Sequence, residues 1–137
     1  MTAVPTALRR LVIQQAADRC EYCALSQAGQ EATLHLDHII PQAAGGETVS
    51  DNMALAYVSR SLRKAARQMA IDPQSSQEAP LYYPRRDAWS VHFQWAGVFV
   101  RGLTPTGRAT VAALHMNRAL IIAIRHEEAT RGRHPPS

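Results

Sequence analysis

One stretch of the chain, from Leu34 to Lys64, most constrains the fold. It begins with an apolar run of strand character that ends at Asp37-His38, and Pro41 stops the pairing of that strand. Gly45-Gly46 provides a turn, and Asp51-Asn52 provides a second turn signal. The order of these signals predicts two short strands joined by a loop.

A basic helix is predicted to follow the two strands. We expect the first strand over residues 33–40, the second over residues 53–57 and the helix over residues 59–69, where Ser59 serves as its N-cap. This order brings an acid, an imidazole and an amide (Asp37, His38 and Asn52) to one end of the strand pair. The segment therefore predicts a small ββα core within an α+β fold.

The composition indicates a small globular domain. The chain has 137 residues, of which 46% are hydrophobic and 19% charged, which is ordinary for a folded protein. Its longest apolar run, residues 119–124, is too short to span a bilayer, and the first ten residues have no apolar core of a secretory signal. We expect a cytoplasmic protein without a membrane partner. The composition leaves the oligomeric state undetermined.

The basic residues are clustered in the predicted helix. The formal net charge is +4, and Arg60, Lys64 and Arg67 are spaced i, i+4, i+7, so that they share a face of the helix. Arg63 lies in the same run. A basic face suits the phosphate backbone of a nucleic acid, but a solvated helix face explains the same pattern.

The two cysteines, Cys20 and Cys23, form a single CxxC pair. Such a pair is half of a zinc knuckle, a redox pair or two structural thiols. The redox interpretation requires a thioredoxin-like βαβ context, which the surrounding sequence does not offer.

The rest of the chain is predicted to pack onto this core as one domain over residues 1–137, with the core at residues 33–69 and an extension at residues 84–137. The expected elements are a helix over residues 6–18, a linker over 71–83, a hairpin with strands at 90–95 and 98–103, a helix from Thr104-Pro105 to about 116 and a helix over 118–131.

Asp37 and His38 are suited to phosphodiester hydrolysis. A carboxylate can hold a divalent cation, and a neutral imidazole can deprotonate water. Because alternate residues of a strand point to opposite faces, the two side chains are directed to different sides of the strand end. An isolated Asp-His pair is nevertheless more often a surface or capped pair.

The order and spacing of the motifs resemble those of the HNH endonucleases, the ββα-metal nucleases. The matching features are the Cys20/Cys23 pair, the DHxxP segment at 37–41, Gly45-Gly46 and Asp51-Asn52. The segments at 92–95, 102–109 and 134–136 resemble a bacterial branch of HNH proteins.

The resemblance implies a DNA endonuclease that uses one divalent metal, Mg²⁺ or a similar ion, and a histidine base. His38 is then the general base, Asp37 a metal ligand and Asn52 the residue that braces the loop of His38. Ser61 stands at the position of the second metal-binding residue, usually Asn or His. The residues expected to contact the DNA backbone are Arg60, Arg63, Lys64 and Arg67.

The chain departs from the family pattern at its second knuckle. Tyr57 and Arg60 stand where the family has thiolates, and two cysteines do not complete a tetrahedral zinc site. We therefore predict no structural Zn²⁺ and expect Cys20 and Cys23 to be small buried side chains. Two alternative functions stay open: a catalytically inactive HNH-fold protein that binds DNA, and, more distantly, a redox or regulatory CxxC protein.

Overall fold

The computed structural model describes residues 4–26, 34–57, 63–64 and 67–136. In these residues the chain forms two compact units. The first comprises the chain up to Gln68 together with Tyr83–Arg86, and the second comprises Met69–Tyr82 and the chain from Asp87 onwards. Both units combine helices with two-stranded antiparallel sheets, so the predicted α+β class is confirmed.

The first unit is built on helix α1 and one strand pair. Helix α1 spans Thr6–Gln15, strand β1 spans His35–His38 and strand β2 spans Met53–Ala56. The strands are antiparallel, with Asp37 opposite Ala54 and His38 opposite Met53. The predicted strand pair is thus present, although both strands are shorter than expected.

A small apolar core holds helix α1 against strand β2. Its buried members are Val12, Ala16, Leu34, Met53 and Leu55, and Val4, Leu8, Ile13, Leu36 and Tyr57 pack around them. All four residues of β2 are buried, which agrees with its continuous apolar sequence MALA. This packing fixes the strand end at which Asp37 and His38 lie.

The predicted helix over residues 59–69 lies mostly outside the described residues. Arg63 and Lys64 have helical backbone, whereas Arg67 does not, and Met69 begins strand β3. The helix therefore ends earlier than the sequence suggested. Residues 58–62, including Arg60 and Ser61, and residues 65–66 are not described.

The second unit contains two hairpins and three helices. Strands β3 (Met69–Ile71) and β4 (Glu78–Pro80) form one hairpin, and β5 (Phe93–Ala96) and β6 (Phe99–Gly102) form the other. The helices are α2 (Trp89–His92), α3 (Pro105–Ala113) and α4 (Ala119–Thr130). The prediction of a linker over residues 71–83 was wrong in part, because Glu78–Pro80 pairs with Met69–Ile71.

The start of α3 agrees with the sequence prediction. The hydroxyl of Thr104 accepts a hydrogen bond from the Gly107 amide at 3.0 Å, and Pro105 is the first helical residue. The last helix has Arg118 as its N-cap residue, without a side-chain capping hydrogen bond, and Asn117 precedes it. The Asn117 side-chain amide forms two hydrogen bonds with the backbone of Val100, of 2.8 and 2.7 Å, and so joins the turn before α4 to strand β6.

Asp72 fastens the β3–β4 hairpin to helix α3. Its carboxylate accepts hydrogen bonds from Nε and Nη2 of Arg108 at 2.9 and 3.0 Å, and from the Gln74 amide and the Ser75 hydroxyl. The Asp72 side chain is fully buried. Chiefly because of the Arg108 hydrogen bonds, the pKa of the Asp72 carboxyl lies well below its usual range.

We predict that this carboxylate makes the stability of the second unit sensitive to acid. The unfolded chain protonates Asp72 near pH 4, whereas the folded chain keeps it ionised to lower pH, so that the stabilisation is present above pH 4 and is lost as the pH falls further. Urea unfolding at pH 7 and pH 3 should therefore show a smaller acid loss in Asp72→Asn than in the wild type. The exposed Glu78→Gln variant is the control, and an equal acid loss in all three proteins would contradict the assignment.

Candidate functional site

The loop between β1 and β2 is held in shape by Asn52. Its Oδ1 accepts from the Ile40 amide at 2.7 Å, and its Nδ2 donates to the carbonyls of Ile40 at 3.0 Å and Glu47 at 2.9 Å. The Asn52 residue is 6% exposed. A side chain that satisfies three backbone groups across the loop fixes the backbone on both sides of it.

The adjacent glycines are required by the same loop. Gly45 ends a short 3-10 helix (Gln42–Ala44) with φ of 88°, a left-handed conformation that glycine adopts at little cost. A Cβ atom at Gly46 would lie 1.8 Å from the carbonyl oxygen of Ile40. The Gly45-Gly46 pair thus lets the loop approach Ile40 closely enough for Asn52 to bridge it.

Tyr83 supports Asn52 from the segment that returns to the first unit. The Tyr83 hydroxyl donates to the carbonyl of Asp51 at 3.1 Å and lies 3.4 Å from the Asn52 Oδ1. The guanidinium of Arg86 lies over the Tyr83 ring, 4.2 Å from its centroid. No local sequence pattern indicates this role of Tyr83, because its contacts join residues 31 and 32 positions apart.

We predict that Asn52→Ala disorders this loop. The variant loses the partners of the Ile40 amide and of two carbonyls, and each buried polar group left without a partner costs about 1–3 kcal/mol. The first unit should unfold at lower urea concentration, and NMR resonances of the loop around His38 should shift. Asp51→Ala is the matched control, since the Asp51 side chain is exposed and Tyr83 binds its backbone carbonyl, which the change keeps. Unchanged stability in Asn52→Ala would contradict the bracing role.

His38 lies at the end of β1, beside the braced loop. Its Nε2 is 2.9 Å from the hydroxyl oxygen of Thr48. We assign the tautomer in which Nε2–H donates to Thr48, so that Nδ1 carries the lone pair. Within the described part of the chain no hydrogen bond engages Nδ1, and the residue is half-buried. An imidazole held through one nitrogen and open at the other can take a proton from water.

Asp37 lies next to His38 and is buried, at 9% exposure. Its Oδ2 is 3.2 Å from the ammonium nitrogen of Lys64, and this nitrogen also donates to the carbonyl of His38 at 3.0 Å. The Lys64 residue is 2% exposed. The structure therefore places Lys64 beside Asp37 and not on an exposed basic face shared with Arg67.

The other predicted basic residues are more accessible. Arg67 is exposed and its Nη2 donates to the carbonyl of Arg63, which is itself partly exposed. Arg60 lies outside the described residues. The expected face of Arg60, Lys64 and Arg67 is thus not seen, because Lys64 is buried and Arg67 is not helical.

The Asp37 site is a poor fit for a divalent cation. In the described ranges no group of three or more His, Cys, Asp and Glu side chains converges on one point. Two unit charges 4 Å apart repel by about 4 kcal/mol at an effective dielectric constant of 20, and a divalent ion doubles this repulsion, so that a neighbouring ammonium disfavours a metal ion at Asp37. The described residues therefore do not fit such an ion, and Ser61, the second expected ligand, is not described.

Cys20 and Cys23 are free thiols, and both are buried. Burial, reinforced by a hydrogen bond to Cys23, raises the pKa of the Cys20 thiol well above its usual range, although the backbone amide of Tyr57 opposes this by hydrogen bonding to it. A protonated buried thiol is a poor nucleophile. The absence of structural zinc stays a prediction.

Glu21, inside the CxxC turn, joins this turn to β2. Its amide donates to the Leu55 carbonyl at 2.8 Å, and its carboxylate accepts from the Leu55 amide at 2.7 Å. Both carboxylate oxygens also bind the guanidinium of Arg85, one of them through Nη2 at 2.8 Å. No local sequence pattern indicates this role of Glu21, since its partners lie 34 and 64 positions away.

One comparison with known proteins found a match. Residues 20–59 match the family model described as HNH endonuclease. This segment is an HNH-family sequence. The matched residues run from Cys20 past Asp37, His38 and Asn52, so the resemblance predicted from the sequence is confirmed. No curated protein and no solved structure matches the chain at a significant level.

The HNH assignment supports a nuclease or DNA-binding function and leaves the finer predictions open. The roles of the individual site residues, the metal, the DNA contacts and the cytoplasmic location stay predictions. Among the described residues no helix is long and apolar enough to cross a membrane.

Proposed function

We propose that the chain is an HNH-type endonuclease that hydrolyses DNA phosphodiester bonds with His38 as the general base. The observation that carries this proposal is the contact of His38 Nε2 with the Thr48 hydroxyl, at 2.9 Å, in a loop braced by Asn52. The contact fixes the ring and leaves Nδ1 to accept a proton from the attacking water. Asn52 acts on the reaction only by positioning this loop.

The proposed DNA contacts come from the basic residues after β2. Arg67 is exposed and Arg63 partly exposed, and both carry guanidinium groups that can bind two phosphate oxygens at once. Arg60 is proposed for the same role from its position in the sequence. We assign Lys64 no contact with DNA, because its ammonium is buried against Asp37 and His38. Contacts of this kind bind the backbone and not the bases, so cleavage is expected to be weakly specific.

The test is nicking of supercoiled plasmid by the full chain in Mg²⁺, in Mn²⁺ and in EDTA. We expect relaxed circles in at least one of these conditions. Binding to a short duplex, measured in parallel, should weaken with salt, with a slope of about −0.9 in log affinity against log salt for each phosphate contacted. Absence of nicking in all three conditions would refute the endonuclease proposal.

A second candidate function is DNA binding without cleavage. The observation that favours it is the buried ion pair between Asp37 and Lys64, because it engages the carboxylate that would otherwise bind a metal ion. Under this alternative the plasmid stays supercoiled in every condition, and salt-sensitive binding persists. Arg63→Ala together with Arg67→Ala should then weaken binding and reduce the salt slope.

A further inference from the structure

We propose that Lys64 takes the place of a divalent cation at Asp37, so that this position of the HNH segment is an internal ion pair. The inference goes beyond the proposed function and is tested without measuring DNA cleavage. Its failure can therefore be distinguished from failure of the endonuclease proposal.

The Lys64 ammonium lies close to two oxygen atoms at the end of β1. The nitrogen lies 3.2 Å from the Asp37 Oδ2 and 3.0 Å from the His38 carbonyl oxygen. Two acceptors on consecutive residues at the end of β1 therefore bind the same cation. The ammonium donates a hydrogen bond to the His38 carbonyl and attracts the buried Asp37 Oδ2 by its charge, without a hydrogen bond between Nζ and Oδ2.

The charged groups of Lys64 and Asp37 are both largely withdrawn from solvent. The side chain of Lys64 is 2% exposed and that of Asp37 is 10% exposed. Two charges that are withdrawn from water to this extent are tolerated only when they are paired and hydrogen-bonded. The first unit can therefore fold with Asp37 ionised because Lys64 neutralises it, and no bound metal is needed for that purpose.

The net charge of the Asp37 site does not favour a divalent cation. Sites for hard divalent cations collect several oxygen ligands, commonly including carboxylates. Asp37 and Lys64 together carry no net charge, and in the described segments Asp37 belongs to no group of three or more His, Cys, Asp and Glu side chains that could hold a metal ion. A hydroxyl such as that of Ser61 would add an oxygen but no negative charge.

The experiment combines a Mn²⁺ titration with a double-mutant cycle. The electron paramagnetic resonance signal of free Mn²⁺ is followed as full-length wild type or Asp37→Asn is added. We expect the two proteins to give the same titration curve. Uptake of Mn²⁺ by the wild type that is lost in Asp37→Asn would overturn the proposal.

The double-mutant cycle measures the coupling of Asp37 and Lys64 in the metal-free protein. We expect Lys64→Met to lower the melting temperature and the second change, Asp37→Asn, to restore part of it. If Lys64→Met does not fold, folding of the double variant Lys64→Met with Asp37→Asn would show the same coupling between the two residues. Arg63→Met is the matched control from the neighbouring position and should show no coupling with Asp37→Asn. Additive effects of the Lys64 and Asp37 changes would overturn the proposal.

Discussion

Replacing His38 with alanine is expected to slow plasmid nicking about 10²–10⁴-fold, the usual contribution of a general base. The reason is local: Nδ1 of His38 is the proposed acceptor of the water proton, and Thr48 holds the ring through Nε2. Nicking rates should be measured under single-turnover conditions in the most active of the three buffers. The affinity for a short duplex should change little, because the basic side chains that we propose to bind phosphate are retained.

Two further variants make the test of His38 specific. His35→Ala removes an exposed histidine from the same strand, three residues before His38, and should leave the nicking rate unchanged. Thr48→Val keeps the β-branched shape but removes the hydroxyl that holds the ring, and should lower the rate by less than His38→Ala does. If the wild type nicks the plasmid, an equal nicking rate in His38→Ala would exclude His38 as the base.

Removing the Glu21 carboxylate is expected to destabilise the first unit by about 3–5 kcal/mol, the usual cost of breaking a buried ion pair. In Glu21→Ala the guanidinium of Arg85, 12% exposed, loses both carboxylate oxygens. The Leu55 amide also loses its acceptor, next to the buried strand β2. The change should lower the urea midpoint of unfolding, followed by far-UV circular dichroism.

The control for Glu21 is Glu47→Ala in the same unit. The Glu47 side chain is exposed and only its backbone carbonyl is used, by Asn52, so we expect a change within about 0.5 kcal/mol. A double variant of Glu21→Ala with Arg85→Met should lose less than the sum of the single changes, because no charge is left buried alone. A loss below 1 kcal/mol in Glu21→Ala would show that the CxxC turn is held to β2 by other contacts.

Two strands and one helix start of this fold are encoded by local sequence signals. Alternating and continuous apolar runs predicted β1 and β2, and Thr104-Pro105 predicted the start of α3, because each signal acts on neighbouring residues. The Cys20/Cys23 pair, the DHxxP segment, Gly45-Gly46 and Asp51-Asn52 together indicated the HNH family, whose model matches residues 20–59. The β3–β4 hairpin was missed because each strand has only three residues and β4 contains a glutamate and a proline, and because Asp72 of the hairpin is held by a distant residue, Arg108.

The sequence by itself determined the family of the central segment, the α+β class and the identity of the candidate base. Only the tertiary structure decided the partners of the charged groups. Sequence spacing put Lys64 on a basic face, but the fold buries its ammonium against Asp37. The fold likewise pairs Glu21 with Arg85, although the two residues are 64 positions apart. The physical reason is that a charge withdrawn from water must find an opposite charge within a few ångströms, and such pairs are set by the packing of distant segments.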